Sequence, residues 1–228
     1  MFFIVPAIAS ALSTIATAIS TIGPAAVNFC VNVLPKLGPL LSQGLEALKV
    51  VSQIVNTVAQ VFGIFRPEET AEDIGDRALQ AAQKGITPER FDDHAQYMDA
   101  LRDFDLDRAK SDQTPTATKI MAGMALAGNG LDEKFNAPDG TMGNLWVLAA
   151  ASPGFFTADT LTMFLKSRTS VADMVDYFEG KLGGGEALDV EDALVSQLQP
   201  LMPGSDEQSI REKIYGAADA LHQYSTSP

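Results

Sequence analysis

At 228 residues the chain is long enough to bury a real core, in one large domain or two small ones. Its 16 Lys and Arg against 29 Asp and Glu give a formal net charge of -13, which argues against a nucleic-acid partner and against anionic membrane surfaces for most of its length. A single cysteine, Cys30 in an apolar run, excludes an intrachain disulfide and a cysteine-based zinc site and reads as a buried thiol.

The charge is unevenly spread. Residues 1–65 carry only Lys36, Glu46 and Lys49, a net of +1, so the remaining 14 basic and 28 acidic residues all lie in 66–228. The opening segment, Met1 to Pro35, has no charge at all and lacks the basic start of a conventional secretory signal. A membrane span over Phe2 to Ile22 is long enough, yet Ser, Thr and Pro interrupt it and no Lys or Arg flanks it before Lys36.

Within that segment Ile4, Ile8, Leu12, Ile15, Ile19 and Ile22 recur at steps of three and four, one stripe of a helix. Its other faces carry Ser10, Ser13, Thr14, Thr17, Ser20 and Thr21 among alanines, where a solvated helix would carry Lys and Glu. Gly23-Pro24 ends the helix and Pro35 stops a short second one. From Leu41 onward, Leu45, Leu48, Val51, Val55, Val58, Phe62 and Phe65 repeat the pattern, again with neutral polar positions between them.

Beyond residue 65 the reading is of acidic helices. Pro67-Glu68-Glu69 predicts a helix start, and Ala71, Ile74, Ala78 and Leu79 its apolar face. Thr87 predicts the cap of another helix, with Phe91, Ala95, Met98 and Leu101 inward. Asp103, Asp105 and Asp107 alternate as at the start of a calcium loop, but Arg108 and Thr114 stand where Gly and the bidentate Glu are needed, so a solvated acidic face is expected. A small apolar helix follows over Thr116 to Ala127, and Asn129-Gly130, Pro138-Asp139-Gly140 and Gly143 predict a helical turn plus an irregular connection over 128–144. Short helices are then expected around Trp146, after Thr157 and after Ser170; Gly183-Gly184-Gly185 reads as a flexible joint or an exposed turn, and two longer helices close the chain.

These elements predict an all-α fold, an N-terminal apolar helical hairpin or arm (1–65) followed by an acidic multi-helix bundle (66–135 and 136–228). No catalytic, metal or cofactor site is expected. His94 and His222 lie far apart in sequence, each in a predicted helix without a metal-ligand partner, and no phosphate loop or nucleophile elbow is present.

For residues 1–65 two readings stand. The segment is the central hairpin of its own domain, or its neutral faces meet other chains or lipid. The second reading makes Ile4, Ile8, Leu12, Ile15, Ile19, Ile22, Leu45, Leu48, Val51, Val55, Val58, Phe62 and Phe65 the contact residues.

In composition, the uncharged Ala-, Ser-, Thr- and Ile-rich helices of 1–65 joined to an acidic helical body resemble the internal, tail and ejected proteins of tailed-phage particles and contractile injection machines. The resemblance implies a part in a multi-copy assembly, in a virion or a cytoplasmic complex, whose arm is sheltered by neighbouring subunits. A membrane-active helical protein and an all-helical enzyme or small-molecule binder are the alternatives.

Overall fold

The computed structural model describes residues 4–167 and 169–226, and within them there are thirteen α-helices and no strand. The chain divides into two units, Met1–Val147 and Leu148–Pro228. The change of composition at residue 65 therefore falls inside the first unit and marks no structural boundary.

The first unit is built around α8 (Thr116–Lys134), whose residues from Ile120 to Leu131 are all buried apart from Asn129. A helix that is apolar on every side must be covered on every side. The cover comes from α1 (Ile4–Ser20), α2 (Pro24–Asn32), α4 (Leu45–Val61), α5 (Ala71–Ala82) and α6 (His94–Arg102), each of which packs against α8. Between α2 and α4 a short 3-10 turn at Leu34–Leu37 leads into α3 (Gly38–Gln43), while α7 (Arg108–Gln113) precedes α8 and α9 (Asn144–Ala151) follows it.

Helices α5 and α8 cross at backbone contact. A Cβ added to Gly75 would sit 1.9 Å from the Lys119 carbonyl oxygen, and one added to Gly123 would sit 1.9 Å from that of Ala71. Backbone thus meets backbone, which only glycine permits at these two points. On another side of α8, Trp146 of α9 is fully buried and donates from Nε1 to the Met124 carbonyl, 3.0 Å away.

Several predicted boundaries move once caps are visible. Helix α5 starts at Ala71, not at Pro67, because Thr70 accepts from the Asp73 amide at 3.2 Å while Asn56 accepts from Ala71 N at 2.7 Å. Thr87 opens only a 3-10 turn, Pro88–Arg90, and Asp93 caps the true helix α6 by accepting from Gln96 N at 2.8 Å. Asp103 ends α6 and Asp107 caps α7, so these acids line a connection rather than one helix face. Arg77 closes that connection by donating to the carbonyls of Leu101, Arg102 and Phe104, at and just beyond the end of α6. Finally, α8 runs through Asn129-Gly130 to Lys134, because the bare Gly130 backbone accommodates the His94 ring and Ile64 beside it.

The second unit contains α10 (Ala158–Lys166), α11 (Val171–Phe178), α12 (Gly184–Leu198) and α13 (Glu207–Thr226). Thr157 and Ser170 cap the first two, as predicted, by accepting from Thr160 N and Asp173 N. The three glycines do not form a joint: Gly183 is the N-cap and Gly184 the first residue of α12. Phe156 and Phe178 meet edge to face at 4.9 Å, and Leu194, Leu198, Ile210 and Ile214 are buried with them.

Candidate assembly surface and acidic cleft

The apolar stripe predicted as a contact surface is instead the inner side of the first unit. Ile19, Ile22, Val55 and Val58 have no exposed surface, and Ile15, Leu48, Val51 and Phe65 keep 4% or less. Ile8 and Leu12 are half-buried, as is Phe62, which stacks edge-on against Phe135 at 5.2 Å. Leu45 alone of the set is exposed, at 41%, and the Ile4 side chain lies outside the described residues. The physical reason is α8. Its Ala- and Gly-rich surface lies within the same chain and covers the stripe, so the buried members cannot serve as contacts in this fold.

What α1 turns outward is the neutral face. Ala7, Ser10, Ala11, Ser13, Thr14, Thr17, Ser20 and Thr21 are all exposed, and none can ionise. Their hydroxyls fold back onto the helix: Thr14 donates to the Ser10 carbonyl at 2.9 Å, Thr17 to Ser13 at 2.8 Å and Ser20 to Ala16 at 2.7 Å. Such a face has few donors that depend on water, so covering it costs little desolvation. Exposed valines extend the same chemistry, Val27 and Val31 on α2 (40% and 65%) and Val50 and Val61 on α4 (48% and 49%).

A cleft of about 500 Å³ lies in the same unit, lined among others by Phe91, Asp92, Asp93, His94, Asn129, Asp132, Glu133 and Asp139. Periodicity does not reveal it. The one signal is Asp132, an acid directly following the buried run Ile120–Leu131. Its carboxylate, 2% exposed, accepts from Gly140 N at 2.7 Å and Met142 N at 2.8 Å, tying down the loop after α8. Burial pushes its pKa up to about 6; those two hydrogen bonds oppose the shift and the Asp139 charge adds to it.

His94 shows the opposite shift. Burial, reinforced by the Arg102 charge, pushes its pKa down to about 4 against the pull of Asp93. Its Nε2 is fully enclosed without a hydrogen-bond partner, against Gly130 and Ile64. Glu133 is occupied as well, accepting from the His94 backbone N at 3.0 Å. These groups serve the fold: Asp132 staples a loop, Glu133 holds the start of α6, and His94 is walled off from the cleft at Nε2. His222 lies exposed on α13.

Among the described residues no group of three or more His, Cys, Asp or Glu is placed to hold a metal ion, and no helix is long and apolar enough to cross a membrane. No family model, curated protein or solved structure matches the chain.

Proposed function

We propose that the protein is a non-enzymatic structural component that assembles with other copies of itself through the outer face of α1. The observation that carries this reading is the exposed, charge-free helix face with its hydroxyls bonded inward, in a chain of net charge -13. A solitary solvated helix gains nothing from excluding Lys and Glu there. A helix that packs against another protein does, because each buried unpaired charge would cost several kcal/mol. The compositional resemblance of residues 1–65 to internal and tail proteins of phage particles supports a virion or tail as the setting. Between assembly and membrane insertion, the 17-residue α1 favours assembly, since about 20 apolar residues are needed to span a bilayer.

Size-exclusion chromatography with light scattering tests this directly. The full chain is expected to self-associate with rising concentration. Ala11→Glu with Thr14→Glu, both on the exposed face, is expected to give a monomer with an unchanged melting temperature. A full chain that stays monomeric at every concentration, or that binds neutral liposomes without self-associating, overturns the proposal.

A further inference from the structure

We propose that a second pocket in the first unit binds a small, uncharged aromatic alcohol, its ring among Phe62, Ile64 and Met98 and its hydroxyl on Nε2 of His94. The pocket, about 250 Å³, lies where the turn after α4, Phe62–Ile64, meets α6 and α8. His94, Met98 and Arg102 come from α6 and Gly130 from α8. It shares His94 and Glu133 with the acidic cleft, which has neither Ile64 nor Gly130 in its wall.

The imidazole nitrogen is what points to a ligand. Nε2 has no hydrogen-bond partner, and the two groups against it, Gly130 and the Ile64 side chain, both belong to this pocket. Burial keeps the ring neutral. If filling the space beside Gly130 were its whole task, a leucine or phenylalanine would do so without burying an unpaired nitrogen, which forfeits a hydrogen bond. Water suits that position poorly, since an enclosed water needs about two to four polar partners and a methyl group and a helix backbone stand beside Nε2. A molecule with one polar atom on an apolar body meets both needs.

The walls agree with such a guest. Phe62 stands edge-on to Phe135, Ile64 is 8% exposed and Met98 1%, and methionine adapts its shape to an aromatic ring. The charged side chains around the pocket are already provided for: Arg102 is held by Glu69 and Asp99, Glu133 accepts from the His94 amide, and Lys134 is exposed. An ionised guest would bring in a charge without a counterpart. A hydroxyl serves the nitrogen in either tautomer, donating to it when bare and accepting from it when protonated. Benzene fills an apolar cavity of about 150 Å³, so this pocket takes one ring with its hydroxyl. Open space beside Gly63 leaves an approach. A Cβ added to Gly130 would lie 2.7 Å from both Nε2 and Ile64 Cγ2, so the methyl enclosing the nitrogen is part of the pocket wall, and one χ1 step of Ile64 uncovers it.

Titration of the full chain with phenol, and with toluene as the guest of similar shape that lacks a hydroxyl, tests the site by NMR. Phenol is expected to bind with a Kd on the order of 1 mM and to shift both the His94 Nε2 resonance and the Met98 methyl. Toluene should move the Met98 methyl and leave Nε2 nearly in place. In His94→Leu the ratio of phenol to toluene affinity should fall about tenfold, because the bound hydroxyl loses its partner. An unchanged ratio in a folded His94→Leu overturns the proposal. Should that variant fail to fold, the wild type decides: Nε2 and Met98 unmoved at about 5 mM phenol, several times the expected Kd, or Nε2 shifted equally by both guests, overturns it as well. Since α1 contributes nothing to this pocket, failure here leaves the assembly reading untouched.

Discussion

Gly123→Ala isolates the feature on which the first unit depends. In an exposed helix this change stabilises, by about 0.8–1.0 kcal/mol of propensity. Here the new methyl would lie 1.9 Å from the Ala71 carbonyl oxygen and 2.5 Å from the Ala71 carbonyl carbon and Cα, where ordinary carbon–oxygen contact needs about 3.3 Å. The helices α5 and α8 must part by roughly 1.4 Å at the crossing, and a gap of that size forfeits a large share of the dispersion contact along the seam. Overpacking costs about 1–3 kcal/mol, and the upper end applies because both sides are backbone and neither can swing aside. Net of propensity, a loss of about 2 kcal/mol is expected, or a fall in melting temperature of roughly 4–8 °C. Trp146, fully buried beside α8 and the only tryptophan, reports the unfolding of this unit by its fluorescence. Gly75→Ala should behave alike, while Gly216→Ala on α13, with open space around the added carbon, should be neutral or stabilising. A melting temperature for Gly123→Ala at or above that of the wild type would refute the close-crossing argument.

Perturbations at three further residues address the titratable and charged interior. For His94 the folded pKa, about 4, lies below the ordinary 6.5, so the unfolded chain takes the proton first and stability falls as pH drops through that window. For Asp132 the folded pKa, about 6, lies above the ordinary 3.8, so the folded chain takes the proton first and stability rises as pH drops from about 6. Each effect is on the order of 3 kcal/mol, and they oppose. Urea unfolding of His94→Leu should therefore show stability increasing from pH 6.5 to 4, and Asp132→Asn should show it decreasing; flat profiles in both would reject the assignments. Arg102, whose side chain is 15% exposed, grips Glu69 with Nε at 2.7 Å and Nη2 at 3.0 Å and also reaches the Ile64 carbonyl. Arg102→Met leaves the Glu69 carboxylate with only the Arg66 amide, at 2.7 Å, in place of the guanidinium and should cost about 2–3 kcal/mol. Arg102→Lys should recover less than half of that loss, because an ammonium cannot reproduce the two-pronged contact.

Helix by helix, much of the fold was legible. The Ile15–Ile19–Ile22 and Leu48–Val51–Val55–Val58 stripes followed from their spacing, and both are buried. The caps at Thr157 and Ser170 followed from side chains that bond to their own helix, which is local chemistry. The starts of α5 and α6 did not follow, because Thr70 is assisted by Asn56 from α4, and Asp93 competes with Thr87 for the same role. In the sequence Gly130 signals a turn, because nothing local shows that His94 fills the space its missing side chain leaves.

The amino-acid order by itself determined the helical class, the stripes that must be buried and the absence of charge from the outer face of α1, since each depends on residues within a few turns of one another. What covers the isoleucine stripe was decided only by tertiary structure. Burial is a property of pairs of surfaces, and α8, more than ninety positions further along the chain, brings a face small enough to fit. The same holds for Gly75 against Gly123: spacing along one helix says which side is apolar or polar, and only the approach of a second backbone says what it meets.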